Sequence, residues 1–197
     1  MNSLATTIRR NLAGVRSRIE EAARRSCRAA SEVQLVAVTK FVDEATIRAL
    51  VDAGCTTFGE SRPQHLWEKA ATLADLPVRW HLIGHLQRNK VRRTLPLVEM
   101  IQSADSLELV AAVAQSAAES GRRVPVLLEV NVSGEAAKHG FLPREIEPLL
   151  PELARQEHVE IRGLMCMASL EGGLDAARRD DARRGAEAAR RDRPRGP

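Results

Sequence analysis

Short apolar runs alternate with amphipathic stretches six times along this chain, and that alternation restricts the fold more than any other feature. Val33 to Lys40 reads VQLVAVTK, a run rich in β-branched residues with polar sequence on both sides. Thr56 to Gly59, Arg79 to Ile83, Val98 to Gln102, Val124 to Val132 and Glu160 to Met167 follow as further strand candidates. Asp43 is placed to cap a helix whose buried stripe is Ile47, Leu50 and Val51 and which Gly54 stops. A second helix runs from about Arg62 to Ala74. Asp105 and Glu108 stand at capping-box spacing before a third, with the stripe Leu109, Val110, Val113 and Ala117 and a stop at Gly121. Ile146, Leu149, Leu150 and Leu153 mark a fourth, whose pattern Pro148 and Pro151 weaken or whose start they shift. Ahead of all these, Leu4, Ile8, Leu12, Val15 and Ile19 define an N-terminal amphipathic helix.

Strands that alternate with helices form a parallel sheet with crossover connections. The strands are short and evenly spaced, and polar residues gather after their carboxyl ends: Lys40, Glu60-Ser61, His85 to Gln87 and Asn131 to Ser133. This favours an α/β fold of the (β/α)8 TIM-barrel type over a doubly wound sheet, and no GxGxxG or Walker-type loop supports a nucleotide-binding sheet. Six units leave the barrel two strands short. After Leu174 the sequence becomes LDAARRDDARRGAEAARRDRPRGP, whose end has no apolar periodicity. The expected organisation is one incomplete barrel domain over residues 1–173 and an Arg/Ala-rich tail over residues 174–197, helical and then disordered.

Charge, cysteines and aromatics narrow the chemistry. The formal net charge is +4, concentrated in the tail, so the fold surface itself is not expected to bind nucleic acid. Cys27, Cys55 and Cys166 are far apart and form no CxxC or Cys/His pattern, which argues against a zinc site or a disulfide framework and fits a reducing cytosol; no metal is expected. No run is long enough to span a membrane. Asn131-Val132-Ser133 matches a glycosylation sequon, read as accidental without a secretory signal. There is no tyrosine, so no mechanism can use a phenol of this chain as acid or base.

Lys40 closes the first strand, where α/β folds place their chemistry. A desolvated lysine there can attack a carbonyl; a solvated lysine closing a strand is the plainer alternative. His81 lies inside a strand, either facing a ligand or hydrogen-bonded in the core. His85, Gln87, Arg88 and Asn89 follow that strand and either line a mouth or form a solvated loop. Lys138 and His139 fall on an exposed loop. Met165 and Met167 alternate with Cys166, as ordinary strand packing does.

Several motifs, taken in order, resemble the pyridoxal 5′-phosphate homeostasis family, small single-domain proteins similar to the barrel domain of alanine racemase. They are AVTK ending at Lys40; FGE at Phe58 to Glu60 with Gln64; WHLIGHLQRNK from Trp80 to Lys90; Asn131, Glu135, Lys138 and Gly140 in an N-x-x-x-E-x-x-K-x-G loop; and Arg162-Gly163-Leu164-Met165. The resemblance covers roughly Leu4 to Ser169. It implies a pyridoxal 5′-phosphate-binding protein of intracellular cofactor homeostasis, with the cofactor held as a Schiff base on Lys40 and Ser61, His81 and Met165 beside it. Ser61 stands where the family usually has Asn. The implied protein is cytoplasmic and not an enzyme, with the cofactor and recipient apo-enzymes as partners and a monomeric or weakly dimeric state. The family's last two elements, which supply most phosphate contacts, are not recognisable, so the chain reads as C-terminally truncated or divergent. A fold-type III enzyme such as an amino-acid racemase and a non-binding remnant are the competing readings.

Overall fold

The computed structural model describes residues 4–135 and 138–167. Helix α1 (Leu4–Arg25) lies first and packs on α2 (Glu44–Asp52). Its four- and three-residue apolar spacing buries Ile8, Leu12 and Ala23, while Leu4 stays exposed. Arg16 donates to the Gly54 carbonyl at 2.7 Å, tying α1 to the end of α2.

Six strands follow in chain order: β1 (Ala37–Val38), β2 (Thr57–Glu60), β3 (Arg79–Leu82), β4 (Met100–Ala104), β5 (Val124–Glu129) and β6 (Val159–Met165). All neighbours are parallel and the spatial order is β1-β2-β3-β4-β5-β6. An order without a reversal point is that of a barrel wall, because right-handed crossovers taken always in one direction keep their helices on one face. A doubly wound sheet would reverse direction at a switch point. The expected barrel-type fold is therefore present as six β/α units. The tail and the missing final strands of the sequence reading lie outside the described residues.

The connecting helices are α3 (Pro63–Thr72), α4 (Val91–Thr94), α5 (Leu107–Glu119) and α6 (Pro143–Leu153). Phe58, Leu66, Leu82, Ile101, Leu109, Val110 and Val126 are fully buried in one continuous core. Each such side chain contributes about 1.5–3 kcal/mol of transfer free energy. The Asp43 carboxylate accepts from the Thr46 amide at 2.9 Å and caps α2 as its sequence predicts.

Three local expectations change. The predicted eight-residue strand at Val33 to Lys40 is a two-residue β1, and Val33 and Val38 are 40% and 53% exposed. Among the described residues β1 has a neighbour on one side only, so its apolar run gains half the ladder and half the cover of an inner strand. The cap of α5 is Ser106, whose hydroxyl accepts from the Leu109 amide at 3.3 Å; Asp105 is turned elsewhere. Helix α6 runs through both Pro148 and Pro151, starting with Pro143 in its first turn, where a missing N–H costs nothing.

Candidate functional site

Lys40 opens the turn directly after β1, at the carboxyl end of the sheet. It is exposed, not desolvated as the sequence reading required, because β1 is an edge among the described residues. Its amine makes no hydrogen bond or ion pair among the described residues and lies 5.2 Å from the centre of the Phe41 ring, which is itself 89% exposed.

The peptide that carries Lys40 is held from behind. Thr39 is fully buried, and its amide donates to the Gly59 carbonyl at 3.0 Å. Its hydroxyl donates to Glu60 Oε1 at 2.8 Å. Lys69 reaches in from α3 and donates both to the Thr39 carbonyl and to Glu60 Oε1, each at 2.6 Å. Glu60 is wholly buried, and its Oε2 has no partner among the described residues. Lys69, paired with Glu60, thus grips the carbonyl immediately before Lys40, while Glu60 holds the Thr39 hydroxyl. Sequence reasoning cited Glu60 as a motif residue without this role and missed Lys69. The signal was available: Lys69 lies three residues after Leu66 and four before Leu73, both buried, so it falls on the inward stripe of α3.

The opposite face of the sheet carries the other expected residues. A side chain built at Gly59 would meet Ile83 at 3.1 Å and Val36 at 3.3 Å, which places these three on the face away from the helices. Val38 pairs with Gly59 and Gly59 with His81, so these form one row. Lys40, Ser61 and Ile83 follow just past the last paired residues, at the carboxyl ends of the same three strands. Ser61 is half-buried, and its hydroxyl makes no hydrogen bond among the described residues. Its backbone is pressed against Gly84: a Cβ there would collide with the Ser61 carbonyl oxygen and lie 2.9 Å from its Cα.

His81 is buried, one row below and two strands from Lys40. Gln102 Nε2 donates to its Nδ1 at 2.8 Å, an assignment that puts the ring proton on Nε2, and Nε2 has no partner. Burial holds its pKa below the usual imidazole value. Met165 is half-buried on β6, paired with Glu129, at the far edge of the described sheet from Lys40. The structure therefore brings Lys40 and Ser61 to one end of adjacent strands, sets His81 beneath them and keeps Met165 apart.

The loop after β5 is organised by Asn131. Its side-chain amide donates to the Glu135 and Lys138 carbonyls, at 2.8 and 3.3 Å, and its oxygen accepts from the Gly134 amide at 3.0 Å and the Ser133 hydroxyl at 3.2 Å. Gly140, at φ 109°, lets the returning chain pass the Glu129 carbonyl, 2.8 Å from where a Cβ would stand.

A second polar cluster occupies the ends of β3, β4 and this loop. Asp105 Oδ2 lies 2.6 Å from His85 Nδ1 and 3.8 Å from His139 Nδ1. The two imidazoles stack at 4.2 Å between centres. His85 and Asp105 also line an open cleft of about 760 Å³ with Gln87, Arg88, Ser106 and Glu108.

A family model described as "Alanine racemase, N-terminal domain" matches residues 10–194. The chain is 36% identical over 162 residues to a pyridoxal phosphate homeostasis protein of Pseudomonas aeruginosa, covering 82% of this chain and 70% of the relative. A homologue of the same description in Deinococcus radiodurans is 41% identical over 167 residues, with 84% and 76% covered. Among solved structures, PipY of Synechococcus elongatus with pyridoxal phosphate bound superimposes with a TM-score of 0.79 at 34% identity, over 93% of this chain and 81% of that one. An alanine racemase of Streptomyces coelicolor, 19% identical over 96% of this chain and 50% of that one with a TM-score of 0.64, shares the fold. The six-unit parallel sheet is thus the barrel wall of the alanine racemase N-terminal class. Within that class, the chain belongs to the pyridoxal phosphate homeostasis family. Among the described residues no helix is long and apolar enough to cross a membrane.

Proposed function

We propose that this chain binds pyridoxal 5′-phosphate through Lys40 and serves cytoplasmic homeostasis of the cofactor by holding and releasing it rather than by turning over a substrate. The observation that carries this reading is the amine of Lys40: unpaired among the described residues, at the carboxyl end of β1, on a backbone clamped by Lys69 and Glu60. The residues fit the group. The Nε2 of buried His81 and the hydroxyl of Ser61 are polar groups without partners among the described residues. The cofactor supplies an electrophilic aldehyde and the Lys40 amine supplies the nucleophile for a covalent link. Ser61 and His81 offer hydrogen bonds to the polar edge of the ring; Met165, at the far edge of the described sheet, is left out of these contacts. The family membership and the cofactor-bound relative support the same reading. Recipient apo-enzymes and a monomeric or weakly dimeric state belong to this proposal as well.

The test is retention. After equilibration with the cofactor and gel filtration, the native chain carries it in near-equimolar amount, whereas Lys40→Ala carries little. Equal retention by Lys40→Ala overturns the assignment of the anchor, and turnover of amino acids well above that of free cofactor overturns the non-enzymatic role.

A further inference from the structure

The cluster at the ends of β3 and β4 gathers two imidazoles and a carboxylate, with a second buried carboxylate behind them. The Asp105 side chain is 5% exposed, and Glu129, one strand over, is 7% exposed as a whole residue. No lysine or arginine pairs with either carboxylate among the described residues. Glu129 accepts no side-chain hydrogen bond there, and its carboxyl is pushed up first by burial and then by the charge of Asp105, with His139 and His85 opposing. Two buried carboxylates side by side call for positive charge. The two imidazoles stack beside this pair, 4.2 Å between centres with planes 13° apart. A divalent ion held between the imidazoles and Asp105 would bring that positive charge.

The donor geometry fits such an ion. One ligand atom each from His85, Asp105 and His139 lies within 4.8 Å of the others. A tetrahedral ion with legs of about 2.0–2.1 Å separates its ligand atoms by about 3.3 Å. The two distances to Asp105 Oδ2, 2.6 and 3.8 Å, bracket that value. Both rings are substantially exposed, and His139 sits beside Gly140 on a loop, so each can turn about its Cβ–Cγ bond to aim a nitrogen inward. The cleft along His85 and Asp105 gives solvent access and room for a further ligand. Imidazole with carboxylate suits zinc and its first-row neighbours rather than magnesium or calcium, which prefer oxygen alone.

We propose that His85, Asp105 and His139 form a binding site for a divalent transition-metal ion of the zinc type at the carboxyl ends of β3 and β4, with Glu129 as the carboxylate behind it. The inference does not depend on the cofactor. It predicts what the sequence did not, because its three ligands come from three separate loops and involve no cysteine.

The purified untagged chain is titrated with Co²⁺, followed by visible d–d absorption, and with Zn²⁺ against a chromophoric chelator. An equimolar site with tetrahedral-type Co²⁺ bands is expected. His139→Ala, a change at an exposed ring, weakens Zn²⁺ at least tenfold and removes the bands, and Asp105→Asn does the same. His65→Ala with His158→Ala leaves binding unchanged, and circular dichroism confirms that each variant is folded. Absence of equimolar binding overturns the proposal. So does binding that survives His139→Ala or is lost in the His65/His158 variant. If Asp105→Asn fails to fold, the His139→Ala result decides.

Discussion

Lys69 and Glu60 meet where a surface helix crosses the end of β2, and their contact fixes the peptide in front of Lys40. Glu60 is wholly buried and the Lys69 side chain is 15% exposed. Removing one charge strands the other, whereas removing both does not. Lys69→Met should therefore lower unfolding stability by about 3–5 kcal/mol in urea titrations, and Lys69→Met with Glu60→Gln should recover much of the loss. Equal losses in the single and double variants would mean that the pair does not act as a pair. His81 gives the chain a pH dependence of definite sign. Burial disfavours its charged form in the fold, so its folded pKa lies below the unfolded value of about 6.5. The unfolded chain then binds the proton first, and stability falls as pH drops below about 6.5 until the folded pKa is passed. Asp43, hydrogen-bonded by Thr46, and Asp75, hydrogen-bonded by Arg48, have lowered pKa values, so their contributions fade only in the carboxylate range, near pH 4 and below. His81→Gln should flatten the stability profile between pH 7 and 5 and leave the carboxylate limb. An unchanged slope in that window would refute the account of His81.

At the scale of elements, the carboxyl ends of β2 and β3 touch through Gly84. A Cβ there has no room against the Ser61 backbone, which is not a flexible side-chain tip that can move aside. Gly84→Ala must push the two strand ends apart, and a loss of about 2–4 kcal/mol is expected in thermal or urea unfolding. Retained stability would show that the loops part freely. The elements themselves were mostly legible. The stripe Leu109, Val110, Val113 and Ala117 is buried as its spacing predicts, and the Asp43 cap and Gly54 stop hold, because these depend on contacts within one turn. What failed depended on neighbours distant in sequence. β1 is short because a sheet, not its own residues, decides how much of an apolar run is laddered. Asp105 gave up the capping role to Ser106 because His85 competes for it across twenty residues of chain. Pro148 and Pro151 weaken the helical pattern in the sequence, yet α6 runs through both, with Leu153 buried and Ile146 and Leu149 packed against the core.

For the whole molecule, the alternation of strand and helix carried the topology. Five crossovers of one hand in one direction leave no other parallel arrangement with this strand order. The site was legible only in part. Lys40 and Ser61 fall at the ends of adjacent strands as the motifs implied, whereas Lys69 and the His85–Asp105–His139 cluster depend on folding that joins separate units. The chain spans about 70% of the length of the Pseudomonas relative, and its described residues already hold the proposed anchor and the network behind it. Whether Lys40 is that anchor is decided most directly by trapping. The purified chain is incubated with pyridoxal 5′-phosphate, reduced with borohydride and mapped by peptide mass analysis. A single reduced adduct on Lys40 is the predicted result; no adduct, or labelling scattered over surface lysines, would contradict the account.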